Sequence, residues 1–546
     1  MSKVAEYLSE HILGEVTTNK NTLSAFSTDA SVLSITPEMV VYPRTTNDIR
    51  KIARFSWQLA EKGHILPITA RGAGSDQTGA AIGRGVIVNT TAHMNSLFEL
   101  DSKQKLVRLQ PGVLFKTLND SLALQGLHIP SAPSSAAYST VGGAIANNAS
   151  GILSGKYGST KNWVHQLEVV LASGDVLQTG RISKRELNRK KGMQTFEGEI
   201  YRQIDNLIND NQELIDSEIS SDIRDNVGYS GIEDVKRSDG SIDLMPLFLG
   251  SQGTLGIVSE IIMRTEFLNT QVGIGALAFD SYDAARDAID DMKQLEPSIL
   301  EVIDGQQFEA AQKRGKKYAF YNEARQQSEI GAVLVFGFDE FSERVRRKKE
   351  KKVVKLLADK AVYLVIARDT SEANELLLLR DVSSYLLDPT DDEQSAPPLV
   401  DGAYVPSERF EDFAAAVALL AKKHHVSMPL YGHAREGVFY ARPQLHLKKV
   451  SDKQKIFKLL GEYSELVTAH HGHLIGESAE GRLKAPFARK QLSDEVIDLF
   501  AAIKSIFDPQ GILNPGVKQD VELKALVAML RPDYDLRSLA NHSPSN

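Results

Sequence analysis

The chain has 546 residues, 42% of them hydrophobic, and a formal net charge of −8. That apolar fraction excludes a disordered chain, the length suggests two or three domains, and the mildly acidic balance argues against a surface built for nucleic-acid phosphates. No cysteine occurs, which removes disulfides, thiolate catalysis and cysteine-held iron–sulfur clusters.

The stretch Met1–Lys20 is mixed and polar, without a signal-peptide apolar core. No apolar run approaches the ~18 residues needed to cross a bilayer. The expectation is a soluble cytoplasmic protein, with peripheral membrane contact left open. Val40–Tyr42 reads as a strand running into Pro43, and Thr46–Lys62 as a helix capped by Thr46 or Asn47. Ile65–Thr69 is the next strand, and Gly85–Asn89, Leu106–Leu109 and Gln166–Leu171 follow. Gly174-Asp175 reads as a hairpin turn. Thr195–Gly240, polar and rich in Asn and Asp, predicts a helix and a long surface loop. Leu247–Leu249 reads as a buried strand and Ile257–Arg264 as another.

From Gly273 the pattern is strand (Ile274–Phe279), helix (Tyr282–Leu295), strand (Ile299–Ile303), strand (Ala332–Phe338), basic helix (Ser342–Asp359) and strand (Ala361–Ala367). This β-α-β texture predicts one mixed sheet with helices on one face. The basic run Arg344–Lys355 reads as a solvated helix face, with docking to an acidic partner or anionic lipid as the sharper alternative. Val521–Leu530 predicts a short helix, and Ser538–Asn546 a disordered tail.

Three glycine-rich segments carry the chemistry. Arg71-Gly72-Ala73-Gly74-Ser75-Asp76-Gln77-Thr78-Gly79-Ala80-Ala81 follows a strand directly. Gly72, Gly74 and Gly79 let backbone N–H groups approach an anion, Ser75 and Thr78 add hydroxyls, and Arg71 adds charge. Together they suit a diphosphate, although a flexible surface turn has the same composition. The spacing is neither GxGxxG nor a P-loop. The second segment runs from Pro130 through Pro133, Thr140, Gly142 and Gly143 to Asn147-Asn148-Ala149-Ser150-Gly151. Its prolines and small residues make a poor core strand and a good surface for a flat ring or diphosphate. The third is Phe248-Leu249-Gly250-Ser251-Gln252-Gly253-Thr254-Leu255-Gly256-Ile257-Val258.

In order and spacing these segments resemble the FAD-binding domain of the vanillyl-alcohol oxidase/para-cresol methylhydroxylase superfamily. Within it they are most similar to the glycolate oxidase, D-lactate dehydrogenase and D-2-hydroxyglutarate dehydrogenase branch. The resemblance implies an α+β chain in which a two-subdomain, PCMH-type FAD-binding domain precedes an α/β cap with an antiparallel sheet and a C-terminal helical segment. The implied divisions are an N-terminal helical segment (1–33), the FAD domain (34–268), the cap and FAD-linked oxidase C-terminal domain (269–518) and a tail (519–546). It assigns Arg71–Asp76, Gly79 and Ala80 to the diphosphate, and Thr140, Gly142 and Gly143 to the diphosphate and isoalloxazine. Ile257 and Val258 fall to the adenosine, and Pro43, Pro133 and Asn148 to further cofactor contacts. Asn514, in Phe507-Asp508-Pro509-Gln510-Gly511-Ile512-Leu513-Asn514-Pro515-Gly516, is expected to face the ring system. Relatives sometimes attach FAD through a histidine in the first loop. Ser75 and Asp76 stand there in this chain, so non-covalent binding is implied.

The second half resembles the substrate side. Arg380, after a helix of leucines, matches an arginine that binds a substrate carboxylate, a role suited to its bidentate fork. A surface pair with Asp381 or Glu375 is the alternative, and Ser384 is placed to assist. Leu399–Pro406 matches a strand approaching the flavin, with Asp401 as a local turn former the alternative. The family motifs Gly-His-x-Gly-Asp-Gly-Asn-x-His and Gly-Glu-His-Gly-x-Gly supply two histidines and a glutamate to a divalent metal, followed by a histidine base. Here His433 and Glu477 match the first histidine and the glutamate, Tyr440 replaces the second histidine, and Ser478 replaces the base. Neutral Tyr is a poor divalent ligand and Ser is no base at neutral pH. The implied set is therefore Arg380, His433 and Glu477 as catalytic residues, with His433 as acid/base. A metal on His433 and Glu477 stays open. His470, His471 and His473 read either as metal or base chemistry or as exposed and helix-capping residues.

The function implied is hydride transfer from a small hydroxy compound to FAD. D-lactate, glycolate and D-2-hydroxyglutarate are the model 2-hydroxy acids. Electrons then leave to an external acceptor, whether quinone, oxygen or partner protein, with a homodimer as one open assembly. The rival expectation is an FAD-binding subunit with altered or lost hydroxy-acid chemistry, acting in a larger oxidoreductase or as a non-catalytic partner.

Overall fold

Short β-branched runs between turn residues build the first two sheets of the computed structural model, which describes residues 3–219, 226–313, 315–386, 394–532 and 534. In the first sheet, β1 (Glu15–Thr17), β2 (Met39–Tyr42), β3 (Ile68–Arg71) and β4 (Val86–Asn89) take the order β1-β2-β4-β3. β2, β4 and β3 run parallel, and β1 pairs antiparallel with β2. β3 begins three residues later than the sequence suggests, because Pro67 has no N–H for a ladder and Ile65 is exposed. The helix Thr46–Ala60 crosses from β2 toward β3 and buries Ile49, Ile52 and Ala53. Its cap is Thr45 rather than Thr46 or Asn47, and the Thr45 side chain accepts from the Asp48 amide.

The second sheet contains β5 (Leu97–Asp101), β6 (Leu106–Leu109), β7 (Val164–Val170), β8 (Val176–Gln178) and β9 (Ile257–Arg264). Its order is β5-β6-β9-β7-β8, and every neighbouring pair is antiparallel. Gly174, at φ 84°, turns the β7–β8 hairpin. Two local expectations fail here. Leu247 and Phe248 lie in a short helix, Met245–Phe248, with Leu249 as its extended C-cap; Pro246 sits in the first turn, where its missing N–H is harmless. The stretch after helix Phe196–Asp210 is not all surface, since Val227, Tyr229, Ile232 and Val235 are buried.

The third sheet contains β10 (Gly273–Phe279), β11 (Ile299–Asp304), β12 (Ala332–Phe338), β13 (Tyr363–Ile366), β14 (Ala403–Tyr404), β15 (Leu430–His433) and β16 (Val438–Ala441). The order is β13-β10-β12-β11-β15-β16-β14, antiparallel throughout, so the predicted mixed sheet is corrected. β12 inserts between β10 and β11 and separates the two strands that the β-α-β texture paired. Helices cover both faces rather than one. Ala276, Ala278 and Val333 pack with Phe308, Tyr321 and Leu376, whereas the alternate residues Leu277, Phe279 and Leu334 join the core that contains Ala285, Phe410 and Val417. β10 and β12 are buried along their whole length, and such strands need a layer on each side.

The basic helix Glu343–Leu357 buries Val353 and Leu357 and turns most of its charges outward. Leu523–Ala528 is the short helix expected near the end, and Ser538–Asn546 lies outside the described residues. Among the described residues no helix is long and apolar enough to cross a membrane. For the site, the decisive register is β11 against β15, which sets Glu301 opposite His433.

Candidate active site

The loop after β3 and the edge of the third sheet line one cavity of ≈ 340 Å³. At one end its walls are Arg71 to Thr78, Ala80, Pro133, Thr140, Gly142, Gly143, Ser251 to Gly253, Ile257 and Val258. At the other end they are Glu301, Arg380, Asp401, Tyr431, His433, Tyr440, Arg442, Glu477, Ser478 and Lys484.

The first end is built by backbone held in place by its own side chains. Gly74 has φ 78°, and a Cβ there would strike the Arg71 guanidinium. Arg71 is buried, lies over the Phe26 ring and donates to the Ala81 carbonyl at 3.1 Å. Burial lowers its pKa to about 10 against the pull of Asp29 and Asp76. A Cβ on Gly72 would strike the Thr140 hydroxyl, so the first and second glycine-rich turns touch. Thr140 in turn accepts from the Gly143 amide at 3.1 Å. Asp76 points into its own loop, accepting from the amides of Thr78 (2.9 Å) and Ala80 (2.8 Å). Gln252, at φ 52°, donates to Thr78 and Asn147 and accepts from the Gly481 amide at 2.9 Å, so it ties three segments together. The cavity wall is thus main chain and small side chains, a surface that fits a nucleotide diphosphate.

Four expected cofactor residues lie off this wall. Pro43 packs beside Gly14, ahead of the Thr46–Ala60 helix. Gly79 turns its carbonyl to the Arg482 Nε at 3.0 Å. Asn148, a left-handed helix cap at φ 45°, is bonded to Asn226, Ser159 and the Lys161 amide. It borders a separate cavity of ≈ 580 Å³. Asn514 is fully buried, and its amide donates to the carbonyls of Ala80 (2.9 Å) and Gln252 (2.8 Å). It clips two glycine-rich loops together from beneath and does not line the cavity.

At the other end, Arg380 does form a bidentate fork, but with Glu301, at 2.7 and 3.0 Å. The surface pairing with Asp381 or Glu375 is thereby replaced by a pairing with a buried carboxylate. The side chain of Ser384 lies outside the described residues. Glu301 also meets His433 Nδ1 at 2.9 Å, and His433 Nε2 stands 3.8 Å from Glu477. Burial opposes charge on both groups, yet the mutual attraction wins. Glu301 falls to about 2 with help from Arg380, and His433 rises to about 9 with help from Glu477. The Glu301 carboxylate thus favours the imidazolium form of His433 and with it a local positive charge at this end of the cavity.

Tyr440 stacks on Tyr431 (centroids 4.4 Å apart) and presents its ring edge-on to His433. Its ring packs as an aromatic wall where the metal motif needs a histidine. Among the described residues no group of three His, Cys, Asp or Glu is placed to hold a metal ion. Two donors, His433 and Glu477, do not make a set that fits a tightly held divalent metal. His470 bonds back to the Leu466 carbonyl at its helix end, and neither it, His471 nor His473 lines the cavity.

Sequence reading missed Glu301, Arg442 and Lys484. Arg442 donates to Asp401 at 2.8 Å and to the Tyr431 hydroxyl at 3.2 Å, and it lies over the Tyr431 ring. Lys484 donates to the Asp401 main-chain carbonyl. Burial lowers its pKa to about 8 despite Asp401, Asp76 and Glu477. The one available signal for Arg442 and Lys484 was their place just beyond the two altered motifs. Glu301 is an acidic residue between Leu300 and Val302 inside a buried strand, a position that demands a partner.

Residues 37–180 match the FAD binding domain family, and residues 269–517 match the C-terminal domain of FAD linked oxidases. The chain belongs to the FAD-linked oxidases. It is 26% identical to the D-2-hydroxyglutarate dehydrogenase of Haemophilus influenzae, over 97% of this chain and 54% of that protein. It is 28% identical to the glycolate oxidase subunit GlcD of Bacillus subtilis, over 88% of each. The D-lactate dehydrogenase of Archaeoglobus fulgidus is 24% identical over 88% of this chain and 90% of its own length. This FAD-linked oxidase thus spans about half the length of several D-2-hydroxyglutarate dehydrogenases it matches. In fold it is similar to p-cresol methylhydroxylase with substrate bound (TM-score 0.70, 13% identity, 96% of this chain and 97% of that one). It is also similar to 4-ethylphenol oxidase from Gulosibacter chungangensis (TM-score 0.66, 16% identity, 95% and 96%).

Proposed function

We propose that this FAD-linked oxidase oxidises a 2-hydroxy carboxylic acid, such as D-lactate, glycolate or D-2-hydroxyglutarate, to the 2-oxo acid. The names of its relatives point to that substrate class. The observation that carries the reading is one cavity joining the main-chain cradle of Arg71–Thr78 and Thr140–Gly143 to a pocket walled by Arg380, His433, Arg442 and Lys484. The cradle takes the FAD diphosphate, with Ile257 and Val258 along the adenosine, and FAD bound there supplies the hydride acceptor.

The chain's own residues do the rest. This wall receives and orients the carboxylate. The His433 imidazolium, fixed between Glu301 and Glu477, places positive charge beside the reacting oxygen, and the Glu477 carboxylate on the same wall takes the proton that the hydroxyl gives up on oxidation. The stacked Tyr431 and Tyr440 rings exclude water from that side. FAD is held without a covalent link, since Ser75 and Asp76 occupy the loop position at which relatives carry a histidine. Electrons pass on to a quinone, oxygen or a partner protein. Residues 34–268 form the FAD domain and 269–518 the cap and C-terminal domain of a cytoplasmic enzyme.

A second reading is favoured by one observation. The Arg380 fork already holds Glu301, as in an FAD-binding subunit with altered or lost hydroxy-acid chemistry. Anaerobic mixing of the yellow holoprotein with D-lactate, glycolate and D-2-hydroxyglutarate separates the two. Bleaching of the visible flavin band by at least one supports the first, and bleaching by none supports the second. A colourless protein that takes up no added FAD refutes both.

A further inference from the structure

The charges at the substrate end nearly cancel in pairs. Arg380 is paired with Glu301, Arg442 with Asp401, and His433 stands between Glu301 and Glu477. Lys484 is different: among the described residues it makes no ion pair, and its ammonium donates to a main-chain carbonyl, that of Asp401. It is 4% exposed, and it lines the same cavity as His433, Glu477 and Ser478. A buried ammonium bonded to a neutral acceptor has lost hydration that one hydrogen bond does not restore. It keeps donor capacity for two more bonds. A carboxylate entering the cavity restores the balance, and no paired cation has to release its partner to receive it.

We infer that Lys484 is the residue that ion-pairs with the substrate carboxylate. This rests on the hydroxy-acid reading above and moves the role expected of Arg380 to a different side chain. Arg380 then acts as a positioning residue, locking Glu301 and through it His433. A buried cation without an ion-pair partner selects a monoanionic head group over a neutral alcohol or amide of the same shape. The depressed basicity of Lys484 is consistent with this vacancy of negative charge. Burial pushes its proton off, and Asp401, Asp76 and Glu477, the acidic groups facing it from three segments, only partly hold it. A bound carboxylate shifts that balance toward the ammonium.

The test uses the FAD-loaded protein and 2-hydroxyisobutyrate, which has no α-hydrogen and cannot be oxidised, with its neutral amide as control. Binding is read as perturbation of the flavin spectrum. The acid should bind wild type, weakening as pH rises through about 8. Lys484→Met should weaken the acid about ten- to a hundredfold, the worth of a charge-assisted hydrogen bond, and leave the amide unchanged. Lys484→Arg should recover most of the affinity and lose the weakening near pH 8. Flavin content and thermal midpoint of both variants establish that they fold. Acid binding by Lys484→Met as tight as wild type overturns the assignment while leaving the hydroxy-acid reading intact. Wild type that binds neither this acid nor any of the three hydroxy acids overturns the reading and the assignment together.

Discussion

Replacing Asn514 by Ala tests whether the glycine-rich cradle is held from below. The Asn514 side chain makes four hydrogen bonds: it accepts from Thr69 and Arg482, both at 3.1 Å, and donates to the carbonyls of Ala80 and Gln252. At about 1 kcal/mol net for each bond, removal costs about 4 kcal/mol. The backbone at φ 44° adds about 1 kcal/mol, because alanine tolerates the left-handed region less well than asparagine. Arg482 softens the loss, since it still donates to the carbonyls of Gly79 and Ile82. A net loss of about 4 kcal/mol corresponds to about 10 °C in the midpoint of a domain of roughly 200 residues. Because Ala80 and Gln252 carry the walls of the cradle, FAD affinity should fall at least about tenfold. Differential scanning fluorimetry and flavin-release titrations read both effects. Asn514→Asp, which turns both donors into acceptors facing carbonyls, should be at least as damaged. A midpoint within about 2 °C of wild type together with unchanged FAD affinity would refute the clip.

Three further outcomes follow from the same geometry. Gly74→Ala should fold but lose flavin, because its Cβ displaces the Arg71 guanidinium and its φ is strained; the ratio of visible to ultraviolet absorbance of the purified protein measures it. The folded pKa of His433 is about 9 against an ordinary 6.5, so its stabilisation is complete below 6.5 and is lost as pH rises toward 9. His433→Gln should flatten the stability profile in that window, measured as urea midpoint against pH. Glu301 titrates near 2 instead of 4.5, so its contribution is present above 4.5 and lost as pH falls toward 2. Arg380→Ala leaves a buried carboxylate with one partner fewer. It should lower thermal stability and the His433-dependent rate while leaving the affinity for 2-hydroxyisobutyrate within about threefold, and a larger drop in affinity would return the anchoring role to Arg380.

Much of the fold was legible because periodicity survives in single strands. Ala332–Phe338, Ile257–Arg264 and Leu106–Leu109 are read to the residue from apolar runs bounded by turns. The order of strands is a long-range property, and β12, distant in sequence, separates β10 from β11. The same limit governs the site. The glycine-rich loops announce themselves locally, since each is a contiguous string with a backbone purpose. The Glu301–His433 pair joins residues 132 apart in sequence through the β11–β15 register, and no local string encodes it. Asn514 is the intermediate case: its motif was legible, but whether it faced the flavin or the loops depended on which carbonyls the fold brought to its amide.

Buried ion pairs are weak contributors to stability, because the desolvation of both partners offsets most of their attraction. Three of them around one cavity are therefore poorly explained as structural reinforcement. What they do is fix orientation. Arg380, His433 and Arg442 each hold a single geometry before a substrate arrives, so none must reorganise when charge moves in the reaction. A wall neutralised in this way has little net pull on an anion. Affinity must then come from a charge the wall leaves unmatched, and selectivity from its position. On the substrate side that charge is the ammonium of Lys484. Tyr440 and Ser478 fit this picture: they put an aromatic ring and a hydroxyl on the cavity wall where the family motifs place histidines, so the proposed anchoring of a carboxylate rests on Lys484 and not on a metal.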